Sequence, residues 1–248
     1  MLGIGGQGIC FLAVDQDLNR SVVIKLYREG MTDLRRRQIL DEGRAIAKIR
    51  SPHIARCYGA DYFKDRPYLI LEYIEGDSLL DWVEGRCIDS VTAIDIIRQL
   101  ATGVESVHNN SLLHLDVKPG NVVVDNDCNA VLIDFGLSQS TFDKKPANIA
   151  GSPSFLAPEW FSSREIDQRT DIYGLGAILF FLMTGEAPFE GQSKSSVVRK
   201  VLREEVDFAP LKASGASMQV EEICRRCLAV DPDERIGTIA ELLSLIHI

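Results

Sequence analysis

The chain has 248 residues, of which 46% are hydrophobic, and this is enough to bury one large core or two smaller lobes. Its formal net charge of -9 argues against a nucleic-acid-binding protein, because such a surface needs a basic face to displace counterions from phosphates. The longest strongly apolar run, residues 173–184, is shorter than the ~18 to 20 residues that cross a bilayer, so it predicts a buried helix and no membrane segment in this chain.

The six cysteines follow neither a disulfide nor a zinc spacing. Cys224 and Cys227 form a single C-x-x-C pair inside a helical apolar pattern, which favours core packing over redox or metal chemistry. Reduced thiols fit a cytosolic protein, and the N-terminus does not read as a secretory signal. We therefore expect a cytoplasmic location, or the cytosolic part of a larger protein.

The first third of the chain is rich in β-type runs. Residues 9–14 and 22–27 flank a polar turn and predict a hairpin, and residues 54–63 and 68–74 predict a second one. Between them, apolar residues at helical spacing predict an amphipathic helix within residues 32–50. The small sheet should have about five strands.

After Gly76 the pattern changes to helices. Apolar residues recur at three- and four-residue spacing over residues 94–107, which predicts an amphipathic helix. We take the change in composition as a boundary between residues 1–75 and residues 76–248. Four further helices are predicted, at residues 171–184, 195–204, 218–228 and 238–246.

Residues 114–121 read His-Leu-Asp-Val-Lys-Pro-Gly-Asn and combine an acid, a cation and an amide. Because a segment ending in Pro-Gly cannot continue a helix, Asp116, Lys118 and Asn121 should project from a loop. These side chains could serve catalysis, or they could only cap and stabilise turns.

Two apolar runs follow this loop. Residues 122–124 and 130–133 are separated by a polar link that is rich in turn residues, and together they predict a hairpin. Such a hairpin would bring Asp134 back beside Asn121.

A glycine-rich run lies near the N-terminus, with Gly3, Gly5 and Gly8 in the pattern GxGxxG. A dinucleotide-binding fold uses the same string, and Glu29 lies near the spacing of its acidic residue. In that fold the glycines lead into a helix, whereas here a strand-forming run follows Gly8. The run therefore predicts a loop between two strands, whose backbone amides would cover phosphates.

Lys25 ends the apolar sequence Val-Val-Ile-Lys at a position predicted to face inward. A buried lysine is costly unless it meets an anion, although it could also extend outward to solvent. Glu42, in the following helix, could hold the Lys25 ammonium against phosphate oxygens as an ion pair. Neighbouring Glu29 and Asp41 could be ordinary solvated charges.

Taken together and in this order, the motifs resemble those of the eukaryotic-type protein kinase family, across nearly the whole chain. The resemblance implies an α+β, two-lobed kinase-like fold, with a small antiparallel N-lobe sheet and one helix, and a larger, mainly helical C-lobe. The matching segments are the glycine-rich run, Lys25, Glu42, residues 114–121, Asp134-Phe-Gly136 and Ala157-Pro-Glu159.

The resemblance also implies roles for the loop residues. Asp116 would accept the substrate hydroxyl, and Lys118 would steady the transferred phosphoryl group. Asn121 and Asp134 would supply the oxygen ligands that Mg²⁺ prefers, with Mn²⁺ as a substitute, and ATP would be the phosphate donor.

Residues 71–74 look like the hinge of the family. Leu71 would guard the back of the adenine pocket, while backbone groups of Glu72 and Ile74 would recognise the adenine edge. Ser78 would reach the ribose, although a helix cap is an equal alternative. The nucleotide site would further include Cys10, Val23 and Val123.

Lys118, two residues after Asp116, and Gly151-Ser152 are similar to the serine/threonine branch of the family. By the same resemblance, Glu159 pairs with Arg235, and Asp171 braces residues 114–121, the catalytic loop, from its helix. These three would support the site without taking part in the chemistry.

Two departures from the family pattern carry predictions. Leu115 stands where an arginine usually precedes the catalytic aspartate, and Gln139 replaces another basic residue. Because a phosphorylated activation loop pairs with such cations, we expect activity without activation-loop phosphorylation. Met1-Leu2 leaves almost no strand before Gly3, so we expect weak nucleotide affinity.

The motifs therefore predict a serine/threonine protein kinase that uses ATP and Mg²⁺ and acts on Ser or Thr hydroxyls of protein substrates. Two alternatives remain open. One is a small-molecule kinase, which would use the same aspartates and magnesium ion, and the other is a nucleotide-binding pseudokinase that acts as a scaffold. The motifs do not specify the protein substrate.

Overall fold

A computed structural model describes residues 1–4, 8–134, 139–140, 153–162, 164–203 and 205–246. Within them a β-sheet region precedes a helical region, and the two share one continuous hydrophobic core.

Five antiparallel strands form the N-terminal sheet, in the order β1-β2-β3-β5-β4. Both predicted hairpins and the expected number of strands are confirmed. In the β2–β3 register Cys10 pairs with Lys25, so the two side chains lie on the same face. The strands are β1 (Gly3–Ile4), β2 (Gly8–Asp15), β3 (Arg20–Tyr27), β4 (Cys57–Phe63) and β5 (Arg66–Glu72).

The turn between β4 and β5 explains why that hairpin closes tightly. Lys64 and Asp65 both have positive φ angles, of 48° and 62°. Two consecutive left-handed residues match the right-handed twist of the flanking strands.

Helix α1 (Asp33–Ile46) packs on this sheet. Thr32 caps it, since its side-chain oxygen accepts a hydrogen bond from the N–H of Arg35 at 3.3 Å. Gly43 weakens a helix intrinsically, but a Cβ at this position would lie 2.7 Å from the Leu69 side chain and 3.0 Å from Ala60. The glycine therefore allows the close approach of α1 to β4 and β5.

The remaining elements form the larger region. Two small sheets contain β6, β8 and β9 in one and β7 and β10 in the other. The elements are β6 (Asp77–Ser78), α2 (Leu79–Val83), α3 (Ser90–His108), β7 (Leu112–Leu113), β8 (Val122–Val124), β9 (Ala130–Leu132), β10 (Gln139–Ser140), α4 (Gln168–Thr184), α5 (Lys194–Arg203), α6 (Ala209–Ala213), α7 (Met218–Cys227) and α8 (Ile239–Ile246).

Helix α4 is the centre of this region, because every residue from 170 to 183 is buried. Its burial on all sides explains the long apolar run, and the prediction of a buried helix is confirmed. Cys224 and Cys227 on α7 are free, buried thiols, which confirms core packing for the C-x-x-C pair. In the part of the chain that the structure describes, no helix is long and apolar enough to cross a membrane.

The arrangement confirms the α+β, two-lobed kinase-like fold. The five remaining predicted helices are confirmed as α3, α4, α5, α7 and α8, with ends shifted by a few residues. The division at residues 75 and 76 stays a prediction.

Candidate active site

The loop of residues 114–121 lies between β7 and β8 and is anchored by a buried residue of α4. Buried Asp171 on α4 accepts hydrogen bonds from the backbone N–H groups of His114 at 2.9 Å and Leu115 at 2.7 Å. Leu115 has a left-handed backbone, with φ of 63°, which an L-residue adopts only when its surroundings hold it there. The prediction that Asp171 braces this loop is confirmed.

The three polar residues of the loop are in mutual contact. Lys118 Nζ lies 2.7 Å from both carboxylate oxygens of Asp116. The Asn121 amide donates to the Asp116 carbonyl at 2.9 Å and to its Oδ2 at 2.8 Å. Because Asp116 is only 6% exposed, its charge is stabilised by these two neighbours more than by water. The structure thus gathers a cation and an amide around the Asp116 carboxylate.

The β8–β9 hairpin returns the chain to this cluster, as predicted. Val122 pairs with Leu132, and the N–H of Ile133 donates to the Asn121 carbonyl at 2.9 Å. The residue after Ile133 is Asp134, so the hairpin brings its carboxylate to the edge of the catalytic loop.

Lys25 reaches this edge from the N-terminal sheet. It is 5% exposed, and its ammonium forms an ion pair with Asp134, 109 residues along the chain. Burial is the largest single influence and disfavours the ammonium, but the Asp134 charge and hydrogen bond, together with the nearby Tyr27 and Cys10 groups, raise the pKa of Lys25 overall. The Lys25–Asp134 pair therefore joins the two lobes across the cleft.

Glu42 has a different partner from the one expected. Arg35 Nη1 lies 3.0 Å from Glu42 Oε1, on the same helix. Among the described residues, the ion pairs join Lys25 to Asp134 and Glu42 to Arg35, rather than Lys25 to Glu42. The role of Glu42 beside Lys25 stays a prediction.

The glycine-rich run is described only at its ends. Gly3 lies on β1 and Gly8 on β2, where a Cβ on Gly8 would lie 2.2 Å from the Leu26 carbonyl oxygen, so only glycine fits. Other predicted sites lie outside the described residues: Gly5, Phe135, Gly136, Gly151, Ser152 and the side chain of Gln139.

The predicted hinge begins in the last two residues of β5 and continues beyond it. Leu71 is buried and pairs with Val23 in the β3–β5 register. The Glu72 N–H donates to the Arg56 carbonyl at 2.8 Å, so adenine recognition by Glu72 would use its carbonyl oxygen. Ile74 follows in an irregular segment.

The other predicted nucleotide residues lie on β2, β6 and β8. Cys10 is half-buried, and burial raises the pKa of its thiol although the Lys25 charge acts in the opposite direction. Val123 on β8 pairs with Ser78 on β6. Ser78 caps α2, because its oxygen accepts from the Asp81 N–H at 3.3 Å, and this fits the capping alternative.

A buried ion pair supports the C-lobe behind the site. Arg235 Nη1 lies 2.7 Å from Glu159 Oε1, and the two side chains are 0% and 1% exposed. Thr170 donates a further hydrogen bond to Glu159 at 2.7 Å. The predicted Glu159–Arg235 pair is confirmed.

Two residues of this region were missed in the sequence. His108, in the last turn of α3, places Nε2 2.8 Å from Asp171 Oδ2. Burial would raise the pKa of Asp171, but the hydrogen bonds from His108 and the loop hold it below its usual range. Arg35 was missed as a partner of Glu42. A histidine just before the catalytic loop, and an arginine seven residues before Glu42, were the only sequence signals.

Comparisons with known proteins agree with this geometry. A family model described as protein kinase domain matches residues 1–245. The chain is 29% identical over 248 residues to the serine/threonine-protein kinase PrkC of Bacillus subtilis, covering 98% of this chain and 38% of PrkC. It is 30% identical over 258 residues to the serine/threonine-protein kinase PknB of Mycobacterium tuberculosis, covering 98% of this chain and 41% of PknB.

The chain thus spans about two fifths of the length of these curated relatives. The predicted resemblance to the serine/threonine branch of the kinases, and the predicted enzyme class, are confirmed by these matches. The chain belongs to the protein kinase family.

Proposed function

We propose that this domain transfers the γ-phosphate of ATP to serine and threonine hydroxyls of protein substrates. The observation that carries the proposal is the cluster of Asp116, Lys118 and Asn121 beside the Lys25–Asp134 pair. The cluster brings together two carboxylates, two cations and an amide, and phosphoryl transfer needs a proton acceptor, cations and oxygen ligands in one place.

The residues of the cleft fit a nucleotide. Lys25 is a buried ammonium that already binds an anionic oxygen, so phosphate oxygens can take the place of Asp134. The adenine would lie between Cys10, Val23 and Leu71 from the sheet and Val123 from below, with its polar edge at the hinge backbone of residues 72–74.

The same residues fit a divalent cation. The Asn121 amide nitrogen is held by Asp116, which leaves its carbonyl oxygen as a ligand, and Asp134 supplies a carboxylate. Mg²⁺ prefers such oxygen ligands and completes its shell with water and phosphate, and Mn²⁺ can replace it. When bound, the ion neutralises the charge on the phosphate oxygens.

Asp116 is the proposed proton acceptor. As the substrate oxygen forms its bond to the γ-phosphorus and the bond to ADP breaks, the hydroxyl proton passes to the Asp116 carboxylate. Lys118, held 2.7 Å from that carboxylate, is placed to steady the transferred group. Asn121 fixes the orientation of Asp116 through its two hydrogen bonds.

We also propose that activity does not require phosphorylation of the activation loop, the segment between Asp134-Phe-Gly136 and Ala157-Pro-Glu159. Leu115 is 2% exposed and packs in the core, so it offers no cation to a phosphorylated residue. Alanine substitutions, made singly, should leave turnover nearly unchanged. A large loss at one site that an acidic residue rescues would contradict this. The sites are Ser138, Ser140, Thr141, Ser152 and Ser154, and a loss at Ser152 alone could also reflect direct contact with the catalytic residues.

The test of the proposed function is transfer of label from γ-labelled ATP, followed by phosphoamino-acid analysis. We expect label on serine and threonine of protein acceptors, and none with Asp116→Asn. Label confined to small molecules would indicate a small-molecule kinase. Nucleotide binding without any transfer would indicate a scaffold and overturn the proposal.

A further inference from the structure

We propose that a cavity between α2 and the C-terminal end of α4 binds a basic segment of the protein substrate, at a distance from the phosphorylated residue. This inference rests on the proposed transfer to protein hydroxyls. The cavity has a volume of about 710 Å³ and lies outside the nucleotide cleft. None of the residues assigned above to catalysis or nucleotide binding lines it.

The lining combines an apolar floor with an acidic rim. Val83 from α2, Ile88 from the following loop and Phe181 from α4 contribute apolar surface. Asp81 and Glu84 contribute carboxylates, and both residues are exposed. This combination suits a long cationic side chain, because arginine and lysine bury an apolar stem while the charged head stays at a wet edge.

The charge around the cavity favours a basic partner. Residues 75–89 carry five carboxylates and a single cation, Arg86. The Arg86 guanidinium lies over the Trp82 ring, 4.8 Å from its centroid. Among the described residues Glu84 makes no ion pair, so its charge remains available to a ligand.

The same bias extends over the whole helical region. Residues 76–248 contain 26 Asp and Glu against 15 Lys and Arg, whereas residues 1–75 contain 10 acidic and 12 basic residues. The acidic charge is therefore concentrated on the lobe that carries the cavity and the catalytic loop. A basic polypeptide would be attracted to this lobe during encounter.

Position links the cavity to the catalytic loop. Leu80 lines the cavity, and a Cβ on Gly120 of the catalytic loop would lie 3.6 Å from Leu80 Cδ1. Phe181 of the floor packs edge to face on Phe155, with ring centroids 6.1 Å apart. Phe155 lies just before Ala157-Pro-Glu159. A substrate whose hydroxyl lies at Asp116 can therefore extend past Leu80 into the cavity.

A peptide series tests the inference by catalysis. Serine peptides of one length carry a pair of arginines at successive distances from the serine, with glutamine at the same positions as the neutral reference. We expect one spacing to raise kcat/KM about fivefold or more over its reference. The double variant Asp81→Asn with Glu84→Gln should lose that preference and phosphorylate the glutamine peptide as the wild type does.

The matched control neutralises two exposed carboxylates away from the cavity, Glu165→Gln with Glu222→Gln, and should keep the preference. If both double variants lose it equally, the effect is overall charge and the inference fails. If the wild type phosphorylates all peptides equally, the inference also fails while the proposed function stands. Absence of transfer to every peptide would count against the proposed function instead.

A second measurement reports occupancy without any transfer. Cys87 lines the cavity and is exposed, and Cys128, also exposed, lies outside it. At least one arginine peptide of the series should slow alkylation of Cys87 by iodoacetamide and leave the rate at Cys128 unchanged, as followed by mass spectrometry. Equal rates at Cys87 with every arginine peptide and with its glutamine reference would overturn the inference, even if no transfer is observed.

Discussion

The two sides of the cleft hold their charged groups in different ways. In the catalytic loop, Lys118 and Asn121 both contact Asp116, and buried Asp171 holds the backbone of His114 and Leu115. On the N-lobe side, Lys25 pairs across the cleft with Asp134, and Glu42 pairs with Arg35. The catalytic-loop side, which we call the lower side, is thus arranged by its own hydrogen bonds. The N-lobe side, which we call the upper side, holds contacts that a nucleotide would have to replace.

The largest effect is expected below the catalytic loop. In the wild type, His108 and the backbone N–H groups of His114 and Leu115 donate to the two carboxylate oxygens of Asp171. Asp171→Asn replaces one oxygen with an NH₂ group, which is itself a donor, so we expect the free energy of unfolding to fall by about 2 to 4 kcal/mol. Denaturant unfolding measures it. Asp167→Asn, at the N-cap of the same helix, is the matched control and should cost less than about 1 kcal/mol, because Asn caps as well as Asp. Equal losses in the two variants would show that the loop does not depend on Asp171.

Lys25→Met probes the upper side. Removing the buried ammonium that we propose to bind phosphate should weaken ATP binding about tenfold to a hundredfold, since hydrogen bonds to charged groups are worth about 1.5 to 3 kcal/mol. Calorimetric titration with ATP and Mg²⁺ measures the affinity. Lys48→Met, at an exposed lysine after α1, should change nothing. Unchanged ATP affinity in Lys25→Met would remove Lys25 from the nucleotide site.

His114 should make the lower side sensitive to acid. Burial lowers the pKa of its imidazole in the folded state. The unfolded-state pKa is about 6.5, so below this pH the histidine of the unfolded chain binds a proton while His114 of the folded chain stays neutral. The free energy of unfolding therefore decreases as the pH falls from about 6.5 toward the folded-state pKa. We expect this loss to begin as the pH falls through about 6.5 and to stay below about 1.4 kcal/mol per pH unit, the most that one proton can contribute.

The variant His114→Asn tests this assignment. In the wild type, His114 Nδ1 accepts a hydrogen bond from the Asp116 N–H at 3.3 Å. The side-chain oxygen of Asn can accept the same hydrogen bond, but Asn does not titrate in this pH range. Unfolding curves across this pH range should therefore be flatter for the variant than for the wild type. The same slope in both proteins would assign the acid sensitivity to another group.

The smallest effect is expected at Arg35. Arg35→Leu removes one partner of Glu42, in a partly exposed ion pair worth about 0.2 to 1 kcal/mol, so one competitor of Lys25 for the Glu42 carboxylate is lost. We expect kcat/KM for ATP to rise about twofold to fivefold. Arg37→Leu, exposed on the same helix, should leave it unchanged. A fall in activity with Arg35→Leu alone would mean that the Arg35–Glu42 pair supports the active arrangement.

Much of the fold could be predicted because most of its elements are indicated by local sequence patterns. Alternation and turn residues marked the hairpins, and helical spacing marked α3 and α7. Helices α2 and α6 have five residues each, too few for a periodic signal, and were not predicted. Strands β6, β7 and β10 have two residues each and exist only because distant strands pair with them.

The site divides in the same way. The catalytic loop and the return of Asp134 could be predicted from turn residues and hairpin topology, whereas the Glu159–Arg235 pair could be predicted only from the resemblance to the kinase family. The pairing of Lys25 with Asp134, and of Glu42 with Arg35, could not be predicted. A charged side chain chooses among several partners within reach, and that choice depends on distances that spacing along the chain does not encode.

The most direct test of the central claim is the rate of phosphoryl transfer by Asp116→Asn at saturating ATP and Mg²⁺, measured in a single turnover with ATP affinity measured in parallel. Removing the proton acceptor should slow transfer by about 10² to 10⁴ while ATP affinity stays within about twofold. Transfer within about tenfold of the wild-type rate would contradict the role of Asp116, and with it the mechanism built on the catalytic loop.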